Sequence, residues 1–340
     1  MVIKIPASHR YSPSPNLTLS AYSEPVKGDA MIAFKGMILQ LLVDKLGSKS
    51  ASPASLATIR DRLLDAADAD KDGKVGLAEA KTIWALLRSH EFFVTFLFQD
   101  SDQIPRLRGF CGAAFAVDAV PVRRLYRRRQ PARPVAADEP DDDAAAAADL
   151  SSSSSSFSSP LDLLFPQRHL WGLPSWPNRA RVGVGVLEFV SHIHAHDLAG
   201  SFFLCGTDET NVGYSAKHDA KFLALSSVLS KEMLTRSLTP RSCVAAKDCR
   251  LSVHCTTMCD ESAGKCTGEL VRPNLHLGCR ILKEYLLYDA PVDLVTEMKR
   301  LFARCQVLES KNDQVDVGPT LLLNEIKSLL WKRISNTVNA

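Results

Sequence analysis

The sequence predicts an α+β fold whose second half is mostly helical and braced by disulfides, and three observations carry that expectation. The first is a complete calcium-type loop, "DADKDGKVGLAE" from Asp68 to Glu79, set between two amphipathic helical patterns. The second is a crowd of cysteines: five of the nine fall between Cys243 and Cys266 in "CVAAKDCRLSVHCTTMCDESAGKC". The third is the mixture of short strand-like runs, "LTLSAY" and "GFCGAAFAVDAVPV", with longer apolar stretches at helical spacing.

A chain of 340 residues with 46% apolar content is long enough for two globular units or for one large domain carrying insertions. The net charge is only +3, and the blocks Arg123 to Arg129 and Asp138 to Asp143 lie close together with opposite sign, so nothing argues for nucleic acid. No stretch reaches the roughly 18 consecutive apolar residues of a membrane span, and "MVIKIPASHRYSPSP" lacks the apolar core of a signal peptide. One sequon, Asn16-Leu17-Thr18, fits a glycoprotein on a secretory route.

Residues 1–54 are mixed, with an apolar helical pattern through "MIAFKGMILQLLVDKLG" closed by Gly47. Residues 55–98 form the helix, loop and helix around the acidic loop, and 99–126 hold the strand-like "GFCGAAFAVDAVPV". From 127 to 160 the composition turns to arginine, alanine, acidic and serine runs that cannot bury enough surface to order themselves. Order returns over 161–340, where "LWGLPSWPNRARVGVGVLEFVSHIHAH" predicts a helix starting near Pro177, with Val182, Val186, Phe189 and Ile193 on its buried face. Further helical patterns follow at "PNLHLGCRILKEYLL", "PVDLVTEMKRLFARC" and "PTLLLNEIKSLLWKRI".

In the acidic loop, Asp68, Asp70 and Asp72 take positions 1, 3 and 5, Gly73 the sharp turn, the Lys74 carbonyl position 7, Gly76 position 9 where water can substitute, and Glu79 position 12 as the bidentate ligand. Val75 anchors the loop inward, while Ile59 and Leu63 share a face of the entering helix and Ile83 and Leu87 a face of the exiting one. Every ligand position for Ca2+ is filled. No second loop of this kind exists, so the unit needs a different packing partner, and a lone site points to the weak affinities, ~10⁻⁴ to 10⁻³ M, of extracellular modules.

The cysteine spacing C-x5-C-x5-C-x3-C-x6-C over Cys243, Cys249, Cys255, Cys259 and Cys266 does not match the C-x2-4-C pairs of zinc sites. The polar, turn-rich segment 243–279 has few apolar residues to fold around, which favours disulfides. Cys111, Cys205, Cys279 and Cys305 complete the set, and the odd total leaves at least one thiol outside any intrachain pair. "HIHAHD" at 192–197 could bring only His192 and His196 to one face of a helix and reads as a polar helix end rather than a metal site. Trp84, Trp171, Trp176 and Trp331 read as packing residues.

The pieces "DADKDGKVGLAEAKTIWALL", "GFCG", "LWGLPSWPNRARVGVGVLEFV", "NVGY", the cysteine spacing and "SLLWKRISNT" together resemble the divergent protein kinase domain 1 family of secretory-pathway proteins. The resemblance covers residues 20–122 and 166–340. It implies a bilobal kinase-like fold with an EF-hand inserted in the N-lobe and a cysteine-rich C-lobe. It also implies residence in the endoplasmic reticulum lumen, a membrane anchor that this chain does not show, and luminal or secreted proteins as partners.

The same resemblance implies a kinase-type loop in "SFFLCGTDETNVGY". In the pattern H-R-D-x-x-x-x-N the proton-accepting Asp stands five residues before the metal-binding Asn. Asn211 matches the Asn, which puts Gly206 where the Asp belongs; Asp208 would need a reshaped loop to substitute. The position of the second magnesium-binding acid resembles Ala224, with Asp219 the closest acid. Glu91 matches the helix acid that pairs with a strand lysine, whose own position resembles Glu24 with Lys27 nearby. "VGVGV" around Gly183 falls in a helical pattern and reads as close packing, not as a phosphate loop. These losses imply a pseudokinase that acts by binding, with ATP and Mg2+ or Mn2+ doubtful cofactors. The alternatives are a weak or atypical kinase of luminal or secreted proteins and a calcium-dependent, cysteine-rich scaffold.

Overall fold

Val2–Lys4 (β1), Leu107–Cys111 (β2) and Ala114–Val117 (β3) build a three-stranded antiparallel sheet in the order β1-β3-β2. The computed structural model describes residues 1–5, 24–27, 31–48, 50–125, 173–207, 209–238, 240–252, 254–309 and 317–338. The run "LTLSAY", the sequon at Asn16, Trp171, Asp208 and the low-complexity stretch 127–160 lie outside them. "GFCGAAFAVDAVPV" is a hairpin rather than one strand. Cys111 faces Ala114 across a two-residue loop, and Gly112 takes the positive φ of 56° that such a tight reversal requires.

Four helices precede the hairpin. Met31–Leu46 (α1) ends at Gly47, whose φ of 81° closes the helix. Pro53–Ala67 (α2) begins with Ser52 as cap, its hydroxyl accepting from the Ser55 amide at 3.1 Å, and with proline in the first turn where no partner is lost. Leu77–Arg88 (α3) follows the acidic loop, and Ile59 and Leu63 of α2 with Ile83 and Leu87 of α3 are buried as their spacing predicts. His90–Leu97 (α4) is different in kind: from Phe92 to Leu97 every side chain is buried, so α4 is a core helix with apolar contact on all sides.

In the second half, Trp176–His194 (α5) is the central helix, and Val182, Val186, Phe189 and Ile193 on it are fully buried. Asn274–Leu287 (α7) and Val317–Val338 (α9) pack along it, and Val292–Gln306 (α8) packs on both. A Cβ on Gly183 would come 3.0 Å from Leu286 Cδ1, and one on Gly185 3.0 Å from Ala220 Cβ; these glycines are close-packing sites. Buried Arg179 donates to the carbonyls of Tyr285 at 2.9 Å and Tyr288 at 2.6 Å, closing the carbonyl end of α7 with a cation. Trp84 and Trp176 are core residues, whereas Trp331 is about half exposed.

Short strands join these helices. Arg123–Arg124 (β4), Val212–Tyr214 (β6) and Ala220–Phe222 (β7) form one sheet, Phe202–Leu204 (β5) pairs with Val228–Ser230 (β8), and the short helix Lys231–Leu238 (α6) follows β8. Thr257–Asp260 (β9) and Lys265–Leu270 (β10) form a hairpin inside the cysteine-rich segment.

Four disulfides brace this half: Cys205–Cys255, Cys243–Cys259, Cys249–Cys266 and Cys279–Cys305. Cys255 and Cys259, the pair nearest in sequence, join different partners, which removes the zinc alternative. Cys111 is the free, exposed thiol. Closing loops of 16 to 50 residues stabilises the chain by about 3–4 kcal/mol each in the loop-entropy account, in a segment too polar to build a core alone. Such a set forms and persists in an oxidising secretory or extracellular environment. Among the described residues no helix is long and apolar enough to cross a membrane.

Candidate functional site

The loop between α2 and α3 gathers acids. Carboxylate oxygens of Asp68, Asp70 and Glu79 lie within 4.8 Å of one another. The backbone curls to allow this through positive φ at Lys71 (59°) and Gly73 (80°), where glycine carries no steric penalty. The carboxylates in turn hold the curl: Asp68 Oδ2 accepts from the Gly73 amide at 3.0 Å, Asp70 Oδ1 from the Asp72 amide at 3.3 Å and Asp72 Oδ1 from the Lys74 amide at 2.7 Å. Glu79, in the first turn of α3, spans the loop by accepting from the amides of Ala69 at 2.7 Å and Gly76 at 2.8 Å. One group is left over. Asp68 Oδ1 is buried with no hydrogen-bond partner, and a carboxylate oxygen withdrawn from water without a donor costs several kcal/mol unless a cation meets it. The all-oxygen donor set suits a hard divalent ion such as Ca2+.

The second cluster lies between the first sheet and the loop after β5. Lys4, at the end of β1, places Nζ 2.5 Å from Glu91 Oε1 on α4 and 3.1 Å from the Leu223 carbonyl. The lysine that meets Glu91 is therefore Lys4 and not Lys27. Glu24, which the resemblance put at the lysine position, is exposed and lies 3.6 Å from Arg88. No spacing signal pointed to Lys4, because its strand is three residues long and its partner is 87 positions away.

Leu223 is the hub of this cluster. Its carbonyl takes Lys4, and its amide donates to the Asn211 carbonyl at 2.9 Å, which sets the end of β7 beside the short turn Glu209–Asn211. Ala224 follows at once and carries no carboxylate for a metal. Asp219 sits in the turn before β7, where it accepts from the Ser215 hydroxyl at 3.2 Å and lies 3.4 Å from Arg181. Gly206 is held against Ser227: a Cβ there would come 2.6 Å from Ser227 Cβ. The residue before it is fixed by the Cys205–Cys255 disulfide, by the Cys205 amide donating to the Ser227 carbonyl at 3.0 Å, and by the Ser252 hydroxyl on the Cys205 carbonyl. A side chain at position 206 therefore has no room without displacing Ser227. The cluster therefore brings together Lys4, Glu91 and the Asn211 backbone around Leu223, while Gly206 and Ala224 offer no carboxylate.

Glu91 owes its place to its neighbours. Ser89 caps α4, accepting from the Phe92 amide at 3.3 Å, and the acid sits in the first turn where the helix dipole favours it. His90 ties the same turn to β8, its Nε2 lying 2.6 Å from the Val228 carbonyl. Burial, with Lys45 nearby, drives its imidazole pKa down to about 3, so His90 is neutral and donates there. His192 and His196 stack on each other and both pack edge-on to Phe98, which makes them packing residues.

No solved structure matches the chain. The sequence model for the protein-kinase domain of FAM69 matches residues 83–308, more than half of the 340 residues, and the chain therefore belongs to that family of divergent protein kinase domains.

Proposed function

We propose that the chain is a calcium-binding, kinase-like protein of the secretory pathway, resident in the endoplasmic reticulum lumen, and a pseudokinase that works by binding. The observation that carries this reading is Gly206, which stands where the resemblance puts the proton-accepting acid and lies so close to Ser227 that a side chain there would have to displace it. With Ala224 at the second acid position, the charge stabilisation and hydroxyl positioning on which phosphoryl transfer depends are both missing. Calcium would be held by Asp68, Asp70, Asp72, the Lys74 carbonyl and Glu79, turning an EF-hand-type loop into a rigid clasp between α2 and α3, beside the helix α4 that carries Glu91. The four disulfides agree with a luminal compartment.

A second reading, a weak kinase of luminal or secreted proteins, is favoured by the intact Lys4–Glu91 pair. Thermal unfolding with and without Mg-ATP, each in calcium and in chelator, separates the two. A ligand at 100 times its Kd adds about 2.7 kcal/mol of stability. Stabilisation by calcium alone supports the binding reading; stabilisation by Mg-ATP together with labelling of a partner protein, lost on Asn211→Ala, overturns it.

A further inference from the structure

Beside the disulfide Cys205–Cys255, a cleft of about 500 Å3 opens between the cysteine-rich segment and the amino-terminal half of α7. Lys247, Arg250, Arg272 and Arg280 line it together with His254 and His276, and no Asp or Glu does. The nearest acid in sequence, Asp248, is turned away, accepting from the amides of Val244 and Ala245 at 3.0 Å each. The two arginines of α7 and its approach are aimed by histidines: Arg272 Nη1 lies 3.0 Å from His276 Nε2, and Arg280 Nη2 lies 2.9 Å from His254 Nε2. An imidazole nitrogen that accepts from a guanidinium is neutral and offers no countercharge.

The backbone that carries the cations is also held in place. Lys247 and Arg250 flank Cys249, His254 precedes Cys255, Arg280 follows Cys279, and His276 Nδ1 reaches the Cys305 carbonyl at 3.3 Å. Three disulfides therefore hold positive side chains together whose mutual repulsion costs stability in a protein of net charge only +3. Lys247 shares its charge with neighbouring Asp248, whereas Arg250, Arg272 and Arg280 meet no carboxylate among the lining residues, and clustered guanidiniums of this kind suit an oxyanion.

We infer that this cleft binds a phosphorylated side chain of a protein partner. Two forked guanidiniums suit a phosphate monoester, and its double charge answers the excess of cations. The floor of Leu204, Leu270 and Leu277 takes the apolar part of a peptide. A sulfated sugar fits less well: among the lining residues the one amide, Asn274, is already spent on the Phe202 carbonyl and the Leu204 amide, which leaves the Thr256 hydroxyl as the lining side-chain oxygen to accept from sugar hydroxyls. The site stands apart from the Lys4–Glu91 cluster and operates whether or not the chain transfers phosphate.

The test is fluorescence anisotropy on the full, disulfide-intact chain with a phosphoserine peptide of otherwise uncharged sequence, its unphosphorylated form, inorganic phosphate and a sulfated oligosaccharide. The phosphopeptide binds at least tenfold tighter than the unphosphorylated one. Arg272→Ala with Arg280→Ala weakens it at least tenfold while the melting temperature and the free-thiol count stay unchanged; if that pair misfolds, the exposed Lys247→Ala and Arg250→Ala must show the loss. Equal binding of the two peptides, or binding indifferent to these substitutions, overturns the assignment. So does inorganic phosphate competing as an equal, which would mark a site for the free anion, or binding of the oligosaccharide alone.

Discussion

Lys4 Nζ and Glu91 Oε1 meet at 2.5 Å, joining the first strand of the chain to the core helix α4 across 87 residues and everything folded between them. An active kinase uses a lysine–glutamate pair of this kind to hold phosphates. In the reading proposed above, this pair stands in a chain with glycine and alanine at the two acid positions, so a cation for phosphate would be kept without the acids that transfer needs.

Substituting Lys4→Met therefore separates nucleotide contact from folding. Without nucleotide, loss of a partly exposed pair costs about 1 kcal/mol or less. Any stabilisation by Mg-ATP disappears in this variant. If the wild-type chain is stabilised by Mg-ATP and Lys4→Met is stabilised equally, the lysine does not face the nucleotide. The readout is the melting temperature of both chains with and without Mg-ATP.

On the binding reading, an acid placed at position 206 is expected to give no phosphate transfer. In Gly206→Asp the new Cβ strikes Ser227, whose carbonyl already holds the Cys205 amide, so overpacking destabilises the chain by about 1–3 kcal/mol. No phosphate transfer to any acceptor protein appears. Adding Ser227→Gly removes the obstructing side chain and recovers most of the lost stability. A single Gly206→Asp variant that melts like the wild type would show that the loop has room.

What could be read from the sequence was what is local in it. Twelve contiguous residues dictate the acidic loop, because the Gly73 turn and the Asp and Glu spacing are set by the backbone itself. The helix over Trp176–His194 follows from one buried face. The cysteines announced disulfides, yet their pairing depends on how the β9–β10 hairpin and α7–α8 fold back, which no spacing encodes. Lys4 was invisible for the same reason: a three-residue strand has no periodicity, and its meaning comes from a helix far along the chain. The obstruction at Gly206 also belongs to tertiary structure, since Ser227 lies on the far side of β6 and β7.

If the acidic loop holds calcium as proposed, the expected outcome is that calcium raises the melting temperature and chelator lowers it. Glu79→Gln removes a ligand and the charge that spans the loop, so the calcium effect shrinks to little or nothing. Asp68→Asn abolishes it too, and has a second signature: without calcium it removes a buried, unpartnered oxygen charge from a cluster of three acids, so the metal-free variant is no less stable than the metal-free wild type. Undiminished calcium stabilisation in both variants would place the ion elsewhere.

Two buried bases on α1 and α4 set the pH response. Lys45 is wholly buried over the Phe93 ring, at 5.0 Å from its centroid, and desolvation lowers its pKa from 10.5 to about 8. His90 is lowered from 6.5 to about 3. Each group binds its proton more readily unfolded than folded, so stability falls as pH drops from each unfolded value towards the folded one: from 10.5 to about 8 for Lys45, and from 6.5 to about 3 for His90. At pH 7 the Lys45 penalty is already fully present and the His90 penalty has barely begun. Lys45→Met therefore stabilises the chain at neutral pH by roughly 1–3 kcal/mol and flattens the alkaline rise. His90→Gln, which keeps an amide donor for the Val228 carbonyl, leaves pH 7 stability nearly unchanged but flattens the loss between pH 6 and pH 4. Denaturant unfolding across pH 4 to 10 measures both slopes, and an acid slope that persists in His90→Gln would assign it to the carboxylates of the surface instead.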